Sequence, residues 1–545
     1  MKTISFAAVL ALIVSCAPAA KPGLDIWPHS WLVPFERSAA APAQVESSLE
    51  MRTTPGEYEP AVFALRSDAA VGVEVTVRAG DGPQAIPSGW LEIHRVAAYA
   101  DTTRPNRLHE FANPVQLDSA VTEFFWITVR PPEGTAAGRY GATVKVERDG
   151  FALELPVNCE VLPFELAESP TTGGAFMYLI DLPPGWYADM KRHGLDAIQF
   201  FTWEYAVIPT DLMDRSAWRW DPVPIKIRRD GDGLAMDFSV MDEIMGEIEA
   251  GGMEGPVVVS LGNDSHLFYE VRIAREFGLK VDTSEAIKGK RIIAPAVSPV
   301  LDKLFIEGLR QLRAHWDEMG YTQELIILIY DEPTERLLDR ARNRYEMIKQ
   351  AMPEQRVYGV VMDEREEAEM MLDQMDIIVA NGDFTAMKEL SEQYAKGYWI
   401  YGGMRNLFGI RHSMGLQVWS AGAEGGFFWM YNYWYYNPDN CVVYMHPDDP
   451  NQLVRSTFWE AIREGRDDLR YAATAELAVE NASGSLHQQG RERLKSILES
   501  VTTGRRRGVR DRSALPRGTS LEDYCEYSDG IRARLIDLIT DMSVN

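Results

Sequence analysis

Residues Leu325–Glu335 read LIILIYDEPTE. Six apolar or aromatic residues run into two adjacent carboxylates and a proline, so a water-excluding segment ends on groups that are costly to bury. Bounded by Pro333, the run reads as a strand buried on both faces, as in a parallel sheet covered by helices. Seven further runs share this character: GAFMYLI from Gly174, LDAIQFFTWEY from Leu195, PVVVSLGN from Pro256, RVYGVVM from Arg356, DIIVANGDF from Asp376, GYWIYGG from Gly397 and GFFWMYNYW from Gly426. Helical stretches such as VLDKLFIEGLRQLRAHWDEMG and DEREEAEMMLDQM separate them. Eight strands alternating with helices predict a closed (β/α)8 TIM barrel. An open doubly wound sheet is the competing architecture, but no Gly-rich phosphate loop follows the first strand.

The flanks follow other periods. Between about Ile26 and Leu166, short alternating segments such as VGVEVTVRAG and GRYGATVKVERDG are divided by Gly and Pro turns, which predicts antiparallel strands of an all-β sandwich. ERDGF, Glu147 to Phe151, predicts a hairpin turning on Asp-Gly. Beyond Gln452 the period is helical almost to the end. The expected order is a leader over residues 1–15, a β-sandwich over 16–168, a barrel over 169–452 and a helical region over 453–545. The fold class is thus α/β with an all-β N-terminal domain.

The first residues, MKTISFAAVLALIVSCAPAA, have the charge, short apolar run and small residues of a secretory leader. Ile13-Val14-Ser15-Cys16 resembles a lipobox, which predicts cleavage before Cys16 and a lipid on its sulfur. The alternative is an ordinary secretory leader. The expectation is therefore a bacterial cell-envelope lipoprotein of the outer membrane or periplasm, touching membrane through this anchor only. With 81 Asp+Glu against 55 Lys+Arg the net charge is -26, which disfavours nucleic acid and anionic surfaces as partners. Cys159, Cys441 and Cys525 are too few and too scattered for a disulfide framework or a zinc module. The nine histidines show no metalloprotease spacing, and Ser420 in VWSAG lacks a nucleophile elbow's glycine, so no metal or other cofactor and no acyl transfer are expected. His193 is expected at a helix end away from the working face, and His266 on a surface loop.

In a barrel the working face lies at the C-terminal ends of the strands. Those ends carry Asp181, Glu204, Asn263, Asp264, His266, Asp331, Glu332, Asn381, Asp383, Arg405 and Asn432. Beside them stand Trp203, Tyr205, Tyr330, Trp399, Trp429, Tyr431, Tyr433 and Trp434. Acids and amides for hydroxyls, with aromatic faces for a ring's apolar side, suit a sugar. Glu204, Asp383, Trp203, Tyr330, Trp429, Tyr431 and Trp434 are the candidate substrate contacts. Three of the aromatics lie in FFWMYNYWYY, Phe427 to Tyr436, whose alternate members could instead fill the barrel.

Neighbouring side chains on a strand point to opposite faces, so Asp331 and Glu332 share a pocket only if the strand ends between them. Pro333 supplies that end and biases Glu332 toward an extended backbone. A carboxyl near a second carboxylate and aromatic rings keeps its proton to higher pH, as a general acid requires. The alternative is a helix start, with Pro333 at the first helical position.

Three stretches together resemble glycoside hydrolase family 123: FFWITVRPPEGTAAGRYGATVKVERDGFALELPVNCEVLPFELAES in the sandwich, YDEP at the fourth strand, and WEAIREGRDDLRY from Trp459 to Tyr471. Arg466 and Arg470 interrupt the acidic and aromatic pattern usual in the last of these. The resemblance implies a retaining β-N-acetylgalactosaminidase working by substrate-assisted catalysis, with the sugar's acetamido oxygen as nucleophile. Glu332 then matches the acid/base and Asp331 the carboxylate that orients the acetamido N–H. Adjacent acids fit that route better than two-carboxylate mechanisms, which need roughly 5 Å or more across the scissile bond. Two other readings remain: a glycosidase for a sugar without an acetamido group, pairing Glu332 with Glu204 or Asp383, and a non-catalytic glycan-binding lipoprotein.

Overall fold

A computed structural model describes residues 23–543 apart from 44–45, 81–83, 98–105, 178–181, 184, 202–223, 264–265, 283–285, 288–289, 292, 334, 362–364, 383, 404–405, 433–440, 447–448, 450–451 and 502–520. Its centre is a closed barrel of eight parallel strands in sequential order. They are β1 (Thr172–Met177), β2 (Ala197–Phe201), β3 (Val257–Ser260), β4 (Leu325–Leu328), β5 (Arg356–Val361), β6 (Ile377–Ala380), β7 (Gly397–Gly403) and β8 (Gly425–Trp429). Each coincides with one of the eight apolar runs. β4 is buried at every position, lying between β3 and β5 with helices outside. Inside the barrel Trp399 and Phe427 stack at 5.2 Å, and Tyr358 meets Trp399 edge-on at 5.9 Å. β1 makes room for this plug with Gly174, where any Cβ would overlap the Phe427 ring.

The N-terminal region forms two five-stranded sheets. One contains Leu24–His29, Glu59–Ser67, Thr122–Val129, Leu91–Ala97 and Arg107–His109; the other contains Leu49–Thr53, Phe151–Val161, Gly138–Arg148, Val71–Ala79 and Val115–Leu117. Phe63, Phe125 and Ile127 of the first share a core with Val75, Val144 and Val157 of the second. One pairing differs from the expected antiparallel pattern, since Phe151–Val161 runs parallel to Leu49–Thr53. Alternation has the same period in both cases, so the sequence pattern cannot separate them. At the predicted hairpin Arg148 pairs with Phe151 while Asp149 and Gly150 have φ of 47° and 79°, the two positive values a tight two-residue turn requires. Thr122–Val129 is buried on both faces. Phe125 and Ile127 serve the sandwich, whereas Phe124 and Trp126 join the core that continues into the barrel, so this strand docks one unit on the other.

Three long helices, Thr457–Asn481, Gly484–Ser500 and Leu521–Ser543, close the chain. The WEAIREGRDDLRY stretch lies in the first, and all its charged residues except the half-buried Arg470 are buried. Arg411 grips Asp468 through Nε at 2.8 Å and Nη2 at 3.0 Å, and Arg532 donates to Asp468 at 2.6 Å and Glu464 at 2.9 Å. The Tyr471 hydroxyl donates to Glu57 of the sandwich at 2.8 Å. Arg466 donates to the carbonyls of Thr171 and Gly194 before β1 and β2. Arg470 reaches Asp467 and the Leu166 carbonyl. The two arginines that interrupt the acidic pattern of this stretch therefore tie the helix to the linker and the barrel. Ser420 lies in the helix Leu416–Ala421, bonded to the Gln417 carbonyl, and Cys159 and Cys441 are buried thiols. Among the described residues no helix is long and apolar enough to cross a membrane.

Candidate active site

Where β4 leaves the barrel, its pairing with β3 continues for a few residues. Leu261 donates to the Leu328 carbonyl at 2.8 Å, and the Asp331 N–H donates to the Gly262 carbonyl at 3.0 Å. Asp331 thereby forms a parallel bridge to Asn263. That side is itself braced, because the His266 N–H donates to Asn263 Oδ1 at 2.8 Å and the Asn263 N–H to the His266 carbonyl at 3.0 Å. His266 is 3% exposed and stacks on Phe268 at 4.3 Å, which corrects the expectation of a surface-loop histidine. Burial pushes its imidazole down to about 3, so it remains neutral at any working pH. His193 ends the helix Trp186–Arg192, as expected, with Nδ1 2.8 Å from the Asp189 carbonyl oxygen.

The next residue departs from expectation. Glu332 has φ of 45°, in the left-handed region, instead of the extended backbone that a following proline favours. A non-glycine residue held there carries roughly 1–3 kcal/mol of strain. The strand's regular alternation therefore stops at Glu332. Asn381, directly after β6, donates from Nδ2 to Glu332 Oε1 at 2.8 Å. Its own N–H donates to the Val361 carbonyl at 2.9 Å, which ties this amide to the end of β5. Pro333 is buried, and the next helix, Glu335–Ala351, starts two residues later, so the proline is not its first residue.

Tyr330 anchors this turn and does not line it, contrary to the expected sugar contact. It is 2% exposed, and its hydroxyl donates to Glu270 of the helix Phe268–Glu276. Arg344 and Arg340, from the helix that follows the acids, close on the same carboxylate, with Arg344 Nη2 at 2.9 Å from Oε2. Burial alone would raise the Glu270 carboxyl, but Arg344 and Arg340 hold it below its ordinary value. One buried anion thus ties Tyr330, the residue before Asp331-Glu332, to the helix that follows them. Nothing local in the sequence announces this cluster beyond an acid inside the apolar run HLFYEVRIA and two arginines four residues apart.

Beneath the acids sits Tyr358 of β5, whose phenol is pushed well above its ordinary value, first by burial and then by the negative charge of Asp331. Asp331 therefore stands over the aromatic plug. Trp399 belongs to that plug and not to the rim. Tyr431 is likewise buried, edge-on to Trp459 at 5.2 Å with its N–H bonded to the Phe176 carbonyl, so it offers no wall to a ligand. Trp429, the last residue of β8, remains partly exposed at the rim. Cys16, Asp181, Trp203, Glu204, Tyr205, Asp264, Asp383, Arg405, Tyr433 and Trp434 lie outside the described residues.

The architecture has a counterpart among solved structures. A solved structure of a family 123 glycoside hydrolase from Clostridium perfringens, studied for glycolipid glycan hydrolysis, superimposes with a TM-score of 0.74. The match covers 96% of this chain and 100% of that one at 13% identity, a likeness of fold. A GH10 xylanase with a bacterial Ig-like domain from termite gut aligns at a TM-score of 0.36 with 10% identity, over 78% of this chain and all of that one. A family 2 member from Bacteroides cellulosilyticus reaches 0.27 with 11% identity, over 69% and 44%. Neither is close enough to argue from. No curated protein matches. The family model for the glycoside hydrolase 123 catalytic domain matches residues 186–459, from the helix after β1 into the long helix behind the barrel, and so spans Asp331-Glu332. The chain belongs to glycoside hydrolase family 123.

Proposed function

We propose that this glycoside hydrolase is a retaining β-N-acetylgalactosaminidase that trims glycan termini with the substrate's own acetamido group as nucleophile. The observation that carries the reading is the left-handed backbone of Glu332, which lets two adjacent acids serve one mouth of the barrel. In the first step Glu332 protonates the glycosidic oxygen as its bond to C1 breaks. The acetamido oxygen bonds to C1, giving an oxazolinium-like ion and the free aglycone. Asp331 accepts the acetamido N–H and stabilises the positive charge that develops there. In the second step the Glu332 carboxylate takes a proton from water as the water oxygen bonds to C1 and the oxazoline opens. The product keeps the β configuration and Glu332 regains its proton. The glycolipid glycan hydrolysis for which the Clostridium perfringens structure was studied supports a terminal glycan as substrate. The proposal places the enzyme on the cell envelope through a lipid on Cys16, and Cys16→Ser should release it from membrane fractions.

The test is a panel of aryl β-glycosides of GalNAc, GlcNAc, galactose and galactofuranose, with a thiazoline analogue of the intermediate as inhibitor. The expected result is turnover of the GalNAc glycoside and competitive inhibition by the thiazoline. Turnover of only non-acetamido sugars, indifferent to the thiazoline, would sink the reading.

A further inference from the structure

We propose that Asn381 is a positioning residue that decides which oxygen of Glu332 carries the catalytic proton. The inference rests on the reading of Glu332 as acid/base and extends it to a single atom. Asn381 Nδ2 donates to Oε1 at 2.8 Å. When Glu332 is protonated, the oxygen that accepts the amide N–H is the one best left as the carbonyl oxygen, which puts the O–H on Oε2. Oε2 then gives its proton to the glycosidic oxygen in the first step and receives one from water in the second.

Three features make this a fixed arrangement. Asn381 is 9% exposed and its backbone is tied to the end of β5, so the amide is delivered from a rigid strand end. It reaches Glu332 from β6, two strands away from β4, and so crosses the barrel mouth above β5. Finally, Glu332 has left the strand's geometry at φ of 45°, so ladder pairing does not direct its side chain and a side-chain bond must. A donated amide hydrogen bond also favours the ionised carboxylate, the state in which Glu332 acts as base.

The test compares wild type, Asn381→Leu, Asn381→Asp and Glu332→Gln on two β-N-acetylgalactosaminides. The p-methoxyphenyl glycoside needs leaving-group protonation, and the 2,4-dinitrophenyl glycoside does not. Asn381→Leu should lose about 10- to 100-fold in kcat/KM on the first, mostly in kcat, and under about threefold on the second, since general acid help of this order is what is withdrawn. The alkaline limb of its kcat/KM profile should move to higher pH. Asn381→Asp keeps the shape but cannot donate and adds a like charge, so it should move that limb in the same direction even if the leucine variant fails to fold. Equal losses on both glycosides, or an unmoved limb, would overturn the proposal while leaving Glu332 as the acid. If Glu332→Gln itself lost equally on both, the acid assignment would fall, and the role of Asn381 with it.

Discussion

Two pairs of neighbouring acids sit in opposite surroundings in this chain. Asp467-Asp468 lies in the helix Thr457–Asn481, where both are buried. Burial alone would raise the Asp468 carboxyl, but Arg411 and Arg532 hold it below its ordinary value. Asp331-Glu332 lies at a barrel mouth, partly exposed, steadied by the Gly262 carbonyl and the Asn381 amide. A carboxylate clamped by two guanidiniums is committed to its charge, because protonating it would strand two buried cations. One steadied by a neutral amide can gain and lose a proton without that penalty. The same residue types thus form a structural rivet in one place and a candidate proton carrier in the other, and the partners decide which.

The largest effects should separate the pairs by kind. Glu332→Gln is expected to lower kcat/KM on an unactivated glycoside by roughly a thousandfold, with the melting temperature nearly unchanged. Asp468→Asn should do the reverse, losing about 3–5 kcal/mol of stability in urea or thermal unfolding while kcat per folded molecule stays near wild type. A large stability loss in the first, or a leaving-group-dependent rate loss in the second, would collapse the distinction.

The difference between the pairs was partly legible beforehand. The eight strands could be counted because a strand covered on both sides is a continuous apolar run, and YDEP marked the mouth. The directions of side chains at the strand ends could not be read, since one residue's advance reverses the face. Tyr330 therefore turned toward Glu270, Trp399 into the plug and Tyr431 against Trp459. Glu332 departs from the pre-proline preference in a setting made by distant residues: Glu270 ties Tyr330 to the following helix, and Asn381 holds the Glu332 side chain. Those contacts join residues 49 to 74 positions apart, which no local pattern encodes. The charges of WEAIREGRDDLRY were visible, but several of their partners lie far away in the chain: Arg466 reaches the Thr171 and Gly194 carbonyls, Arg470 the Leu166 carbonyl, and Asp468 takes Arg411 and Arg532.

A smaller effect tests whether the rim depends on what lies beneath it. Gly174→Ala would press on Phe427, which stacks on Trp399 and through it supports Tyr358 under Asp331. Overpacking of this kind costs about 1–3 kcal/mol. Stability should fall by that amount and activity by a few-fold, less than either acid variant. Activity loss rivalling Glu332→Gln would mean that the plug, and not the Asn381 contact, holds the site.

The last effect concerns pH and sharpens the contrast from the structural side. Glu464 shares Arg532 with Asp468, yet burial pushes its carboxyl up to about 7 against an ordinary carboxylate near 4.5. Because the folded chain holds this proton more tightly than the unfolded chain, its contribution to stability is complete below about pH 4.5. It is lost as pH rises toward 7, at no more than about 1.4 kcal/mol per pH unit. Asp468 has the opposite sign, since its folded value is depressed and its contribution disappears only in acid. Unfolding free energy measured from pH 4.5 to 7 should therefore decline in wild type and decline less in Glu464→Gln, whose amide does not titrate. Parallel profiles would show that Glu464 is already ionised in the folded protein, making the helix's acids uniform rivets and leaving the barrel mouth as the place to look for a carboxyl that keeps its proton.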